Sequence, residues 1–354
     1  MKKLFFIAAL AGAALVSCTK NEVAPSAQQD EITFLAPVVG VQTKVNGLIG
    51  STYKTGESFD VWCVHNATDI SEWGGAVYFS NIPATYNSGL GGWALTPTYY
   101  WPSTGKLSFV AMSPSIANTT TYDKTNGFSI TSAWSQGANE STIVDLMYSE
   151  PAFNKAKADY TDYEETADVN SYKGVDITFN HALSYITFKV KTAAAYSTTK
   201  FRLNTITLSG VYTTGTFNQK AADPWTESTS NVGEYVAFDY NRAVPGSDPV
   251  TTFGELEFDN DPAVAVPETS EKEIILLPQA LTAGQQKITV NYQISTDNGT
   301  SWIDQEQVAD IKGTITSWEM GKKYIYTITI GLNEIIFDPA VADWTEDVPG
   351  GVSF

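Results

Sequence analysis

The chain has 354 residues, of which 43% are hydrophobic and only 17% are charged, so its length suffices for two ordinary hydrophobic cores. Acidic residues number 39 against 21 basic ones, and the net charge of −18 argues against nucleic acid as a partner, because no excess of cations is present to neutralise phosphates. The two histidines and two cysteines are too few for a multi-Cys/His zinc cluster and supply few general bases, which makes an enzyme the weaker hypothesis.

The first 17 residues have the pattern of a secretory signal peptide. Lys2 and Lys3 form a positively charged N-terminal region, and residues 4–16 form an apolar run that is short for a membrane span. The run leads into Leu-Val-Ser-Cys, which resembles the lipobox of bacterial lipoproteins and predicts that Cys18 is acylated and begins the mature chain. Because the signal removes two lysines and no acidic residue, the mature net charge is −20. The alternative is ordinary signal cleavage without lipid on Cys18.

Residues 18–30 are polar and predict a flexible tether between the lipid anchor and a folded part that begins near Glu31. With Cys18 acylated, Cys63 is the single remaining thiol, so the chain cannot form an internal disulfide. Cys63 lies in an apolar, strand-like run, which predicts a buried and inert thiol rather than a reactive one.

Beyond the tether, apolar residues recur with a period of two, as half-buried antiparallel strands require. Residues 186–191, 288–295 and 324–330 have this alternation, and Asp297-Asn298-Gly299 predicts a hairpin turn that returns through residues 301–303. Shorter strands are predicted at residues 32–36, 59–65, 107–112, 176–179, 201–208 and 274–277. No long amphipathic helix competes with them, so the predicted fold class is all-β, as sandwiches or barrels.

An acidic stretch at residues 159–168 interrupts the strand pattern. Its carboxylates could hold calcium, but their spacing matches no EF-hand loop, so we interpret it as a solvated surface or inter-domain loop. The predicted division is a signal peptide at residues 1–17, a tether at 18–30, an N-terminal domain at 31–174 and a C-terminal domain at 175–354.

Several short stretches follow one another in a defined order along the chain. They are YKTGESFDVW at 53–62, YYWP at 99–102, GKLSFVA at 105–111, DLMY at 145–148, FNHALSYITF at 179–188, LPQ at 277–279, WEMGKKY at 318–324 and DW at 343–344. No single stretch is specific, but the ordered set resembles the fimbrillin family of the Bacteroidia, the Mfa-like lipoproteins, from the lipobox to the C-terminus.

The resemblance implies two tandem transthyretin-like Greek-key β-sandwich domains and a role as a subunit of a surface fimbria. It implies a lipidated precursor at the cell outer membrane and other fimbrial subunits as partners, with adhesion to a host or bacterial surface ligand as a companion role. The resemblance further implies that a protease can cut within the first strand region, and that the groove which this strand leaves accepts a strand from a neighbouring subunit. No cofactor, metal or nucleic acid is implied.

Lys44 is the candidate cleavage point in this chain. The two arginines, Arg202 and Arg242, both lie far from the N-terminus, which argues against maturation by an arginine-specific protease. A lysine-specific cut and no cut are the two alternatives that the sequence leaves open.

The C-terminal tail carries four apolar side chains that could anchor a donor strand or close the chain's own second domain: Ile335, Phe337, Val341 and Trp344. We favour the closing strand, because Pro339 removes a backbone donor from any long donor run. A subunit without a free donor strand would be a terminal one, which favours a tip or accessory position over a stalk position.

The alternative function is that of a surface glycan-binding lipoprotein associated with polysaccharide uptake. Trp73, Trp93, Tyr99, Tyr100 and Trp101 lie near a glycine-rich turn and could stack on sugar rings, although core packing is the preferred interpretation.

A secreted hydrolase ranks third, because no hydrolase, zinc-protease or P-loop motif is present and no catalytic residue can be assigned. We interpret His181 as a hydrogen-bonded structural histidine, and His65 has no partner set for a metal site.

Overall fold

The structure is a computed structural model that describes residues 31–39, 56–116, 120–137, 143–160, 174–241, 256–260, 263–265, 274–332 and 335–344. Strands dominate these ranges, and their single helical element is a 3₁₀ turn at Lys157–Asp159. The predicted all-β class is therefore confirmed. Within the same ranges, no helix is long and apolar enough to cross a membrane.

The first half of the chain forms eleven strands. They are β1 (Thr33–Phe34), β2 (Val38–Val39), β3 (Phe59–Asn66), β4 (Ala76–Asn87), β5 (Gly92–Leu95), β6 (Lys106–Ser113), β7 (Thr120–Asp123), β8 (Gly127–Ser135), β9 (Met147–Ser149), β10 (Ala152–Lys155) and β11 (Thr178–His181). Nine of them form one sheet in the order β1-β5-β4-β3-β6-β9-β11-β2, with β10 also paired to β6.

The second half forms fourteen strands. They are β12 (Ser184–Thr192), β13 (Lys200–Tyr212), β14 (Thr214–Asn218), β15 (Trp225–Glu227), β16 (Val232–Asp239), β17 (Leu256–Phe258), β18 (Val264–Ala265), β19 (Ile274–Leu276), β20 (Gln279–Ala280), β21 (Lys287–Ser295), β22 (Ile303–Asp310), β23 (Ser317–Trp318), β24 (Lys322–Ile330) and β25 (Ile335–Asp343).

These later strands form two five-stranded sheets and a short pair. One sheet has the order β18-β12-β24-β25 with β19 on β12, and the other has the order β16-β13-β21-β22 with β17 on β13. Strands β20 and β23 form the pair. The inner residues of β13, β21 and β24 alternate with partly exposed ones, as the period-two pattern predicts.

A four-stranded sheet joins the two halves of the chain in the order β15-β14-β8-β7. Its central pair sets Phe217 of β14 opposite Ile130 of β8. The predicted boundary near residue 174 stays a prediction, but strands from either side of it share this sheet.

Two hydrophobic cores lie on the two faces of β3. Val61 and Cys63 belong to the core that the nine-stranded sheet covers, which we call the first core. Trp62 belongs to a larger core that includes Phe128 and extends to Tyr326 of β24. Because successive side chains of a strand point to opposite faces, a strand between two cores is buried on both sides. This position explains why β3 reads as a continuous apolar run.

The predicted hairpin after β21 is confirmed. Strands β21 and β22 pair antiparallel along their whole length, and Asn298 and Gly299 adopt positive φ values of 58° and 90°. Asp297 accepts hydrogen bonds from the backbone N–H groups of Thr300 and Ser301, which fixes the turn.

Candidate functional site

Residues 31–39 close the nine-stranded sheet on itself. Strand β1 pairs antiparallel with β5 at one end of the sheet order, and β2 pairs parallel with β11 at the other end. Only three residues separate β1 from β2, so one short segment occupies the gap between two edges. We call residues 31–39 the closing segment.

Backbone hydrogen bonds hold the closing segment on both sides. On one side, Ile32 N–H donates to the Tyr99 carbonyl at 2.8 Å, and Thr33 and Phe34 pair with β5. On the other side, Val175 N–H donates to the Thr33 carbonyl at 2.8 Å. Leu35 N–H donates to Val175 at 3.2 Å, and Val38 N–H to Ile177 at 3.0 Å.

The side chains of the closing segment complete the first core. Ile32, Phe34 and Val39 are buried, and Val38 is 46% exposed. The Phe34 ring packs edge-on against Phe59 and Phe109, with centroid distances of 5.6 Å in both cases. Burying a side chain of this size contributes roughly 1.5–3 kcal/mol, so the segment is held by packing as well as by its ladder.

Gly174 lets the backbone of the closing segment approach closely. A Cβ atom at this position would lie 2.5 Å from the Phe34 carbonyl carbon and 2.6 Å from the Leu35 nitrogen. Any side chain at position 174 would therefore push against the backbone of the segment. Sequence reasoning missed this residue, because its role depends on a contact with a distant part of the chain.

Two of the predicted site residues, Cys18 and Lys44, lie outside the described residues, so lipidation and cleavage stay predictions. In the sequence, Lys44 follows the closing segment by five residues. A cut there would break the covalent link between the segment and everything after it, leaving only non-covalent contacts to hold the segment.

The C-terminal strand β25 pairs with β24 of the same chain from Ile335 opposite Ile330 to Asp343 opposite Lys322. It is the outermost strand of its sheet. Ile336 is 50% exposed and Val341 is 53% exposed. Phe337 occupies the register position opposite Ile328. Little of the described surface of β25 is therefore covered.

Trp344 behaves differently from the strand that precedes it. It is completely buried and stacks on the His181 ring, with a centroid distance of 3.8 Å and an interplanar angle of 16°. The Nδ1 atom of His181 lies 3.0 Å from an oxygen of Asp145, and both side chains are buried. The interpretation of His181 as a structural, hydrogen-bonded residue is confirmed.

A pocket of about 310 Å³ opens beside His181. Its other lining residues are Tyr148, Glu150, Asn180, Met320 and Gly321. In the part of the chain that the structure describes, no three His, Cys, Asp or Glu residues converge in a way that could hold a metal ion.

The aromatic residues near the glycine-rich turn mostly support the first core. Trp93 is buried and packs on Tyr86 at 5.1 Å, and Trp101 is buried and stacks on Tyr160 at 5.2 Å. Tyr100, at 47%, is the most exposed of this stretch, whereas Trp73 packs against Tyr122. The core-packing interpretation is confirmed for Trp93 and Trp101, because buried rings cannot stack on a sugar.

Cys63 is completely buried, and burial raises the pKa of its thiol well above the usual range, so the predicted inert character is supported. The Nε2 atom of His65 lies 2.8 Å from the Thr104 carbonyl oxygen. This hydrogen bond explains the placement of the ring, and no bound ligand is needed to do so.

The sequence matches the family described as Fimbrillin-like over residues 43–344. No curated protein matches the chain significantly. Among solved structures, a fimbrial protein from Bacteroides vulgatus is similar, with 18% identity and a TM-score of 0.54, over 88% of this chain and 99% of that one.

Two further structures match with comparable coverage. A protein from Bacteroides uniformis, provisionally assigned as a cell adhesion protein, has 18% identity and a TM-score of 0.49 over 89% of this chain and 98% of its own. The tip fimbrial protein Mfa3 from Porphyromonas gingivalis, with a C-terminal truncation, has 10% identity and a TM-score of 0.37, over 89% of this chain and 100% of its own. At these identities the likeness concerns the fold alone, and of these three structures the one from Bacteroides vulgatus has a TM-score that supports it.

Proposed function

Because the chain belongs to the fimbrillin-like family, we propose that it is a structural and adhesive subunit of cell-surface fimbriae. In this proposal the chain is exported as a lipoprotein acylated on Cys18, reaches the outer membrane, and assembles with other fimbrial subunits by β-strand pairing. Its two halves are tandem transthyretin-like Greek-key sandwiches. No catalytic role or cofactor is part of the proposal.

The observation that carries the proposal is the closing segment, which is held on both sides. If it left, the Tyr99 and Ile177 carbonyls and both backbone groups of Val175 would lose their partners, and the core around Phe34 would be uncovered. Unpaired edges and exposed apolar surface are costly in water, so the vacated groove favours the entry of another extended strand.

Cleavage after Lys44 is the proposed way to vacate the groove. The cut would detach the closing segment covalently while leaving all later strands in the chain. Arg202 lies in β13, within the folded body, and offers no equivalent cut. If no cut occurs and β25 stays on its own sheet, the subunit would occupy a tip or accessory position.

The test compares four forms of the chain in a native host: wild type, Cys18→Ala, Lys44→Ala and Lys54→Ala. We expect wild-type chains in purified filaments to start at Val45. Lys44→Ala chains should remain uncut with acylated Cys18 and be depleted from filaments. Cys18→Ala chains should lose the lipid, and Lys54→Ala, which changes a neighbouring lysine, should behave as wild type.

Mass spectrometry of the N-terminus and immunolabelled electron microscopy provide the two readouts. Absence of wild-type chains from filaments and from complexes with other pilins would overturn the fimbrial function. Filaments built of chains that start at Cys18 would instead overturn cleavage at Lys44 and retain the function.

A further inference from the structure

The pocket beside His181 lies between two walls that come from different halves of the chain. One wall is the antiparallel pair of β9 and β11, in which Tyr148 is opposite Asn180. The other wall is the turn between β23 and β24, which contributes Met320 and Gly321. The volume of about 310 Å³ is at the lower end of the range of about 300–1,000 Å³ that is typical of small-molecule sites.

Hydrogen bonds fix the turn against the chain that follows β11. The Gly321 N–H donates to the Leu183 carbonyl at 2.9 Å. The Ser184 hydroxyl donates to the Glu319 carbonyl at 2.8 Å. The two walls are therefore held together by the folded chain itself. A pocket that exists before its ligand arrives loses less conformational entropy on binding than one that the ligand must order.

The lining residues extend from the interior to the surface. His181 is 3% exposed and Tyr148 is 9% exposed. Asn180 and Met320 are half-buried, and Glu150 is exposed. The buried end of the pocket thus carries an imidazole ring and a phenol ring, and the exposed end carries a carboxylate.

Glu150 and Asn180 place a carboxylate and an amide side by side. The Nδ2 atom of Asn180 donates a long hydrogen bond of 3.4 Å to Oε1 of Glu150. The amide has two donors and an acceptor, whereas the carboxylate only accepts. Each hydroxyl group of a sugar ring both donates and accepts, so two neighbouring hydroxyl groups match this pair. Burial and the charge of Glu150 raise the pKa of Tyr148, which therefore keeps its hydroxyl proton at neutral pH.

The lining favours a neutral ligand over a charged one. Among the described residues that line the pocket, none is a lysine or an arginine, so an anion would find no cation and would face Glu150. The His181 imidazole is already paired with Asp145. A cationic ligand would meet one carboxylate, which is exposed and screened by water. Tyr148 and Met320 add apolar surface, which the C–H groups of a sugar ring can cover.

We propose that this pocket binds one neutral pyranose residue of a glycan, with sugar hydroxyl groups on Glu150 and Asn180 and sugar C–H groups against Tyr148 and Met320. The inference names a ligand class for the adhesive part of the proposed function and rests on that function for its biological role. The binding itself requires neither cleavage nor strand pairing. A single small site binds weakly, but many copies along one filament would bind a glycan surface together.

The experiment titrates the purified full mature chain with single sugars in mildly acidic buffer. Glucose, galactose, mannose and N-acetylglucosamine are the neutral probes, glucuronate is the anion, and glucosamine with its protonated amine is the cation. Saturation-transfer NMR detects binding, and its concentration dependence gives Kd. We expect at least one neutral sugar to bind with a Kd on the order of 1 mM. Glucuronate should bind at least roughly tenfold more weakly, and glucosamine no more tightly than that neutral sugar.

Two variants test the assigned contacts. Glu150→Gln keeps the shape of the side chain and removes its charge, so it should weaken binding of the best neutral sugar by about tenfold. Asn180→Ala removes the amide and should have an effect of similar size. The matched control is Glu319→Gln, which removes an exposed carboxylate next to Met320 that does not line the pocket. It should change Kd by less than about twofold.

Chemical denaturation should give nearly the same midpoint for these variants and for the wild type, because none of the three side chains is buried. A loss of sugar binding at an unchanged midpoint therefore reports a lost contact with the ligand.

Three results would overturn the proposal. No neutral sugar binds, or a charged sugar binds more tightly than every neutral one, or Glu150→Gln and Glu319→Gln weaken binding equally. If the chain occurs in native filaments but binds no sugar, the inference fails while the fimbrial function stands. If the chain binds a neutral sugar through Glu150 but is absent from filaments and from complexes with other pilins, the site stands while the fimbrial function fails.

Discussion

Trp344 is buried, whereas the described side chains of the strand that precedes it are exposed or half-exposed. The strand before it is largely exposed, whereas Trp344 itself is enclosed and stacks on His181, which Asp145 holds through a hydrogen bond. The backbone N–H of Trp344 also donates a hydrogen bond to the Gly321 carbonyl at 3.2 Å. One side chain therefore fixes the end of β25 to a part of the molecule that lies far away in sequence.

Replacing Trp344 with alanine should lower the free energy of unfolding by about 3–5 kcal/mol, the usual cost of truncating a buried tryptophan. Val341→Ala, on the exposed part of the same strand, should cost less than about 1 kcal/mol. Chemical denaturation of the two variants checks this difference. Equal and small losses would contradict the assignment of the anchoring contact to Trp344.

Asp297 supports the hairpin turn between β21 and β22 in its ionised form. Hydrogen bonds from the Ser301 hydroxyl and backbone, the Ser295 hydroxyl and the Thr300 backbone lower its pKa to about 2, from an ordinary value of 3.8. Because the folded pKa is lowered, the stabilising contribution is complete above pH 3.8 and disappears as the pH falls through about 2.

The amide resonances of Thr300 and Ser301 should therefore stay nearly constant from pH 6 to about 3 and shift below that, with a midpoint of about 2. Heteronuclear NMR of the chain measures this titration, and Asp297→Asn is the control, which should abolish it. A midpoint near 3.8 in the wild type would mean that the hydrogen bonds around this carboxylate do not form in solution.

At the scale of elements, β22 and β25, each at one edge of its own sheet, differ in the side chains they carry. Strand β22 is exposed or half-exposed throughout and carries Asp304, Glu306 and Asp310. Strand β25 places Ile335, Phe337, Pro339 and Val341 at alternating register positions. Charges along an edge oppose pairing with other molecules, and apolar residues favour it. The charges therefore protect the edge of β22 against pairing with another molecule, whereas the apolar residues of β25 do not protect its edge.

Removing the charges from β22 should therefore cause association. The double variant Asp304→Val/Glu306→Val is expected to form concentration-dependent multimers, detected by static light scattering, in contrast to the wild-type chain. Asp69→Val/Glu72→Val removes the same charge from an exposed loop and should remain as dispersed as the wild type. If both double variants associate equally, net charge rather than the strand edge governs solubility.

At the scale of the whole molecule, the two halves share structure that neither can complete alone. Strand β8 pairs with β14 in the sheet that also contains β7 and β15, and the larger core combines Phe128 and Leu146 with residues of the second half. Structure shared in this way couples the unfolding of the two halves.

Thermal unfolding should consequently show one cooperative transition, with calorimetric and van't Hoff enthalpies that agree. Differential scanning calorimetry measures both quantities. Tryptophan fluorescence should report the same midpoint, because Trp62 and Trp225 lie in the shared core. Two resolved transitions would show that the halves unfold independently despite the common sheet.

Sequence reasoning succeeded where one face of a strand is buried and the other is not. Strand β21 alternates cleanly, and Asp297-Asn298-Gly299 supplies residues that accept positive φ, so both the strand and its turn were predictable. Strand β4 was missed, because its twelve residues are mostly exposed or half-exposed and include Pro83. The groove was unpredictable in detail, since Gly174 and Phe34 meet only through the fold.

The bonds on both sides of the closing segment have a mechanical consequence. A tensile load directed along the groove acts on all of these bonds together, in shear, so a strand seated there separates only when the whole ladder fails. A load that peels β25 from β24 breaks one pair at a time. Under a load along its own axis, the closing segment is therefore held by neighbours on both sides, whereas β25 is held by one.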